Sequence, residues 1–213
     1  MSLAPALLAL GGLLLAAPTS PDAAREPPPV SRLRVTQGRL EPLSGGRQRI
    51  EEPKVRAVDA TGREGLRVAE LRLTYLGPSQ RQRALLSGEQ RRQVGLKLRA
   101  RDGCNVVYVM WRLAPVAGLV VSVKSNPGQS RSDDCDNHGY LTVKPEQREA
   151  VPELQTGVAH TLRAELRGTR LCVRVDGVRV WEGPLPAEAF AFDGPVGLRS
   201  DNGRFDVQLR ATP

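Results

Sequence analysis

The chain has 213 residues, with 31 Lys and Arg against 23 Asp and Glu, for a formal net charge of +8. Gly and Pro are plentiful at 21 and 17 residues, and aromatic residues make up only 4%. With no long helical periodicity, this composition argues against a bundle or coiled coil and for an all-β domain. Lysine occurs only at 54, 97, 124 and 144, and the arginines recur through every strand-like run with Asp and Glu among them. They are neither clustered nor interleaved with aromatics, so the pattern of a nucleic-acid binder is absent.

Residues 1–17 carry no charge, and 6–17 are almost wholly apolar. That run is short of the ~20 residues that span a bilayer. It ends in the small residues Ala16 and Ala17 and reads as a signal peptide, although Lys and Arg are missing ahead of it. No other apolar run approaches membrane length, so no membrane span is expected. Residues 18–31, with Pro27, Pro28 and Pro29, read as a Pro-rich linker. Residues 32–213 then form one domain large enough for a substantial core.

Ala69, Leu71, Leu73 and Tyr75 alternate with Glu70, Arg72 and Thr74, the period-two pattern of a half-buried strand. After a polar stretch over 77–90, Val94, Leu96, Leu98 and Ala100 alternate with Gly95, Lys97 and Arg99. Residues 105–113 are apolar on both faces, as in a central strand covered on each side. Pro115 to Gly118 turns the chain into a strand over 119–124, and 126–139 is the longest irregular polar stretch. Residues 140–144 make another strand, and 145–157 a polar connection. Leu162, Ala164 and Leu166, then Leu171, Val173 and Val175, alternate with polar residues. Asp176-Gly177 supplies the positive φ angles of a two-residue hairpin. With 196–199 and 205–209, the last third reads as an antiparallel meander with an apolar face and an Arg-rich face.

The segments HTLRAEL, VDGVRVW and GPVGLRSDNGRF in that last third resemble the C-terminal strands of the concanavalin A-like lectin/glucanase superfamily. Laminin G-like domains, legume-type lectins, glucanases and polyuronate lyases belong to it. The resemblance implies an all-β, two-sheet antiparallel jelly-roll sandwich. Glucanases of this fold carry Glu-x-Asp-x-x-Glu, which does not occur here. The lyases carry Arg-x-Glu-Leu-Arg, similar to the run from Arg163 to Arg167. A lyase reading would use Arg163, Glu165 and Arg167 on one exposed face, with Tyr108 as acid/base. The companion lyase segments, a Gln-Ile-His-like stretch and a Tyr-rich C-terminal strand, are missing.

Of the three cysteines, Cys104 beside a turn and Cys135 in the long loop are expected to form a disulfide, leaving Cys172 as a semi-buried thiol. Asp133, Asp134 and Asp136 offer oxygen ligands, and the resemblance makes calcium conceivable, but their spacing fits no specific calcium loop and a solvated turn is expected. No other cofactor is expected. Ser200-Asp201-Asn202-Gly203 likewise reads as a turn. If the strands share one sheet, Lys97, Arg99, Tyr108, Arg112, Ser122, Lys124, Arg163, Glu165, Arg170 and Arg174 pave a single basic face, while Trp111 points into the core. Such a face suits an anionic glycan, because Arg holds carboxylate or sulfate in bidentate fashion and Tyr offers a stacking ring. The expectation is a secreted or periplasmic carbohydrate-binding module for extracellular or cell-surface polysaccharide, without catalysis. A polyuronate lyase and a laminin G-type interaction module are the alternatives.

Overall fold

The computed structural model describes residues 26–213; the expected signal peptide and the start of the expected linker lie outside them. The strands in chain order are β1 (Leu33–Gln37), β2 (Glu41–Pro42), β3 (Gln48–Ile50), β4 (Lys54–Asp59) and β5 (Val68–Pro78). They continue as β6 (Arg92–Leu98), β7 (Val106–Ala114), β8 (Gly118–Lys124), β9 (Tyr140–Val143) and β10 (Gln147–Arg148). The last are β11 (Ala159–Arg167), β12 (Arg170–Val175), β13 (Val178–Pro184), β14 (Gly197–Asp201) and β15 (Gly203–Thr212). A short helix, α1 (Ser132–Cys135), interrupts the long polar loop.

Two antiparallel sheets result. The seven-stranded sheet runs β1-β4-β14-β6-β7-β8-β9, and the eight-stranded sheet runs β10-β13-β12-β11-β5-β15-β3-β2. Inward-facing residues fill the space between them. Trp111, Val109 and Leu96 from one sheet join Leu71, Leu162, Leu171, Phe205 and Trp181 from the other in one apolar core. Trp111 is 2% exposed, as its side of the alternation requires. β7 is apolar on both faces because Val106, Tyr108 and Met110 meet Val58 and Ala100 in a second, smaller cluster on the outside of its sheet.

Asp176 and Gly177 have φ of 50° and 82° and close the β12–β13 hairpin with Val175 opposite Val178. The meander stops there. β14 inserts between β4 and β6 of the seven-stranded sheet, while β15 crosses to lie between β5 and β3 of the other. The corner is Asn202, at φ 56°, a left-handed value that Asn tolerates better than most residues. Its buried amide donates to the carbonyls of Arg83 (2.8 Å) and Arg91 (3.0 Å) and accepts the Arg83 N–H at 2.7 Å. One side chain thus makes the sheet switch and ties down the 79–91 loop. Residues 26–31, expected as linker, pack along β15: Val30 donates to Leu209 O at 2.9 Å and Ala211 to Pro28 O at 3.1 Å.

The Cys104–Cys135 disulfide forms and ties α1 to the start of β7. Cys172 stays free and half-buried, and burial pushes its pKa up, against nucleophilic use.

Candidate functional site

The outer face of the seven-stranded sheet carries a cleft of about 500 Å³. Strand register explains its floor. Lys54 of β4 lies opposite Asp201 of β14, which faces Gln93 of β6, which faces Arg112 of β7. One step along, Arg56, Arg199, Gly95, Met110 and Val120 follow in the same order. The next row holds Val58, Gly197, Lys97, Tyr108, Ser122 and Thr142. Lys124 and Tyr140, paired across β8 and β9, close the far end. Leu85, Leu86 and Ser87 wall the cleft on one side, and Ser132, Asp133, Asp136 and Asn137 on the other.

Asp201 is a carboxylate wholly buried beneath this floor. Its Oδ2 accepts from Arg199 Nε at 2.8 Å and Gln93 Nε2 at 2.7 Å, and Arg56 Nη2 lies 3.5 Å from Oδ1. Although burial opposes it, the Arg199 and Arg56 charges hold the Asp201 pKa below the ordinary carboxylate range. The Arg199 guanidinium also lies 5.0 Å over the Tyr108 ring, a cation–π contact. Tyr108 stacks on Tyr140 at 6.2 Å, and Lys124 Nζ sits 5.2 Å over the Tyr140 ring while donating to Asp136 O at 2.7 Å. Tyr140 remains 42% exposed, so its ring is presented to the cleft.

Positive charge exceeds what Asp201 balances. Burial first, then the Arg56 and Arg199 charges, lower the Lys97 pKa to about 7. Lys97 is 4% exposed and has no hydrogen-bond or ion-pair partner among the described residues. Burial and then Arg91 lower the Arg112 pKa. Burial likewise comes first for Lys124, followed by Arg199 and Arg56. Gly95 keeps the rows close: a Cβ there would meet Val109 O at 2.1 Å.

The single basic face expected from alternation is divided between two opposite surfaces. Lys97, Tyr108, Arg112, Ser122 and Lys124 lie on the seven-stranded sheet, whereas Arg163, Glu165, Arg170 and Arg174 lie on the outer face of the eight-stranded sheet. There Arg163, Arg167 and Arg170 meet carboxylates. Arg163 donates to Glu70 at 3.3 Å, Arg167 to Glu165 at 2.7 Å, and Arg170 to Glu146 at 2.7 Å. The lyase constellation is therefore not assembled, because Tyr108 and the Arg163–Glu165–Arg167 run face away from each other across the whole core. Arg99 leaves the face altogether. It follows the end of β6 at φ 50° and donates to Ala189 O (3.0 Å) and Phe192 O (2.7 Å), clamping a loop. Asp133 and Asp136 line the cleft and Asp134 does not. Among the described residues no group of three His, Cys, Asp or Glu side chains gathers in this loop.

Sequence reading passed over Arg56, Arg199 and Tyr140, and it took Ser200-Asp201-Asn202-Gly203 for a turn, whereas Ser200 and Asp201 end β14, Gly203 starts β15 and only Asn202 lies between them. Arg56 alternates with Val55 and Ala57, and Arg199 follows inward Leu198, so both faces were legible. Their proximity was not, because β4 and β14 are far apart in the chain.

No protein-family profile and no curated protein matches the chain. Solved structures do. The carbohydrate-binding module CBM66 from Bacillus subtilis superposes with a TM-score of 0.56 at 11% identity, over 84% of this chain and 93% of that one. The metal-free Emp46p carbohydrate recognition domain gives 0.52 at 12% identity, over 85% and 88%. The exoplasmic/lumenal domain of VIP36, in a Ca2+/Man3GlcNAc-bound form, gives 0.50 at 13%, over 85% and 84%. At these identities the likeness concerns the fold, which is the concanavalin A-like jelly-roll sandwich.

Proposed function

We propose that the chain is a secreted or periplasmic lectin-like module that holds an acidic polysaccharide in the cleft on its seven-stranded sheet. The observation that carries this reading is the surplus of cations on the floor. Lys54, Arg56, Arg112, Lys124 and Arg199 line the cleft with the Tyr140 ring, against Asp133 and Asp136 at its wall, while the buried Asp201 beneath is already engaged by Arg199 and Arg56. A uronate carboxylate or a sulfate supplies the missing counter-charge, and the sugar ring stacks on Tyr140. The fold's neighbours include a carbohydrate-binding module and carbohydrate recognition domains, which supports a saccharide as the ligand class. The disulfide supports an oxidising compartment. Burial keeps most of the floor rigid, so the role fits binding of a preformed chain segment.

Isothermal titration with polygalacturonate and with a sulfated glucan, against neutral dextran, tests the proposal. Binding of the acidic polymers that weakens steeply with salt is expected. Tyr140→Ala and Lys124→Gln should each weaken it by about tenfold. Equal binding of dextran, or no binding of either acidic polymer at low salt, would overturn the reading.

A further inference from the structure

A second cleft, of about 680 Å³, opens at one end of the sandwich between the end of β7 and the 148–154 segment. Part of its wall is apolar, formed by Tyr75, Trp111, Leu113, Ala117, Val151 and Leu154. Its size is that of ordinary small-molecule sites, roughly 300–1,000 Å³. Against this apolar lining stand three arginines, Arg92, Arg112 and Arg148. Elsewhere the chain pairs many of its arginines with carboxylates or carbonyls, as with Arg163, Arg170 and Arg99. These three make no hydrogen bond or ion pair among the described residues, and the Nε atoms of Arg92 and Arg112 are buried with no acceptor. Glu149 and Glu153 share the rim but pair with none of them.

Strand geometry explains how the arginines come to be here. Gln93 faces outward to Asp201, so alternation puts Arg92 on the inner side with Val94, at the open end of the core. A register shift between Arg92 and Gln93 accompanies this change. Arg112 is paired with Gly118, and Arg148 Nη2 lies 3.4 Å from where a Gly118 Cβ would stand. The missing side chain at 118 lets Arg148 reach over the sheet toward Arg112. A buried guanidinium nitrogen without an acceptor is costly. An anion arriving with an apolar body relieves that cost and covers the aliphatic and aromatic walls in the same event.

We propose that this end cleft is a binding site for an apolar carboxylate, a monoanion with a hydrocarbon body, whose carboxylate is held by Arg92, Arg112 and Arg148 and whose chain lies against Trp111, Leu113 and Val151. It stands apart from the saccharide reading, since only Arg112 borders both clefts.

Titration calorimetry with dodecanoate below its micelle concentration, with dodecanol as the uncharged control, tests this site. Quenching of Trp111 fluorescence serves as a second readout, and Trp181, buried in the core, supplies a constant background. One dodecanoate per chain is expected, with dodecanol at least tenfold weaker. Arg92→Gln and Arg148→Gln should each weaken dodecanoate by about tenfold, the range of one charge-assisted hydrogen bond. Arg148 is exposed, so R148Q keeps the test alive should R92Q fail to fold. Ala117→Trp should fill the cleft and abolish binding. Absent binding, dodecanol binding as tightly as dodecanoate, or unchanged affinity in R148Q would overturn the inference. Absence of dodecanoate binding to the unsubstituted chain, with polygalacturonate still bound, rejects this site and leaves the saccharide reading standing.

Discussion

Replacing Asp201 by Asn removes one charge from beneath the cleft on the seven-stranded sheet while keeping the side chain's size. In the wild type, Arg199 Nε and Gln93 Nε2 donate to Oδ2 at 2.8 and 2.7 Å, and Arg56 Nη2 lies 3.5 Å from Oδ1. Arg199 is 7% exposed and Asp201 is wholly buried, so water cannot screen what the mutation leaves behind. Two guanidiniums then face each other with no carboxylate between them. Arg56 is already disfavoured as a cation, by burial first and then by the Arg199 charge. Breaking such a buried pair costs about 3–5 kcal/mol, a large share of the ~5–15 kcal/mol that holds a domain together. The pH dependence has a definite sign. Asp201 is held below its ordinary value, so its contribution is full above the unfolded pKa of about 3.9 and is lost as pH falls through the native value. Urea unfolding with the disulfide intact, at pH 7 and again near pH 3, measures this. D201N should be less stable by about 3–5 kcal/mol at pH 7, with the gap narrowing in acid. Arg199→Met combined with D201N should recover part of the loss, because the unpaired charge goes too. A D201N protein within about 1 kcal/mol of wild type at pH 7 would refute the idea that this carboxylate holds the cationic floor.

Lys97→Met should stabilise the fold at pH 6 by roughly 2–4 kcal/mol, since a native pKa of about 7 against the usual 10.5 makes stability climb between those values and leaves the full penalty below them. In the same experiment, polygalacturonate should bind wild type more tightly at pH 6 than at pH 8, because Lys97 gains its charge, and the K97M profile should be flat. Replacing Cys104 and Cys135 together by Ala frees a crosslink spanning 31 positions and should cost ~3.5 kcal/mol by the loop-entropy relation, read as a fall in melting temperature. Gly95→Ala should cost about 1–3 kcal/mol in chemical unfolding, because its Cβ would stand 2.1 Å from Val109 O and 2.8 Å from Met110 Cα.

How far the sequence carried depended on the range of the physics involved. Period-two alternation is local, and it marked β5 to β9, β11, β12, β14 and β15; the inward residues it named lie in the core, Trp111 among them, except Ala100, which follows the end of β6 and joins the cluster outside the seven-stranded sheet. Asp176-Gly177 gave the hairpin because turn chemistry needs only adjacent residues, and the bridge between Cys104 and Cys135 was legible as a pairing of two strand-end cysteines. The early strands β1 to β4 went unread. They are short, and Gly and charged residues blur the alternation between 33 and 59.

Which sheet each strand joins was decided only by tertiary structure. Alternation tells a residue to face in or out, but a sandwich has two outsides, and both are compatible with the same pattern. Asn202 sends β14 and β15 to opposite sheets, and that switch separates Arg163 and Arg170, neutralised by glutamates, from Arg56 and Arg199, gathered around Asp201. The charge pattern was local and written in the chain; the partners that decide whether each arginine is spent or available are supplied by strands distant in sequence.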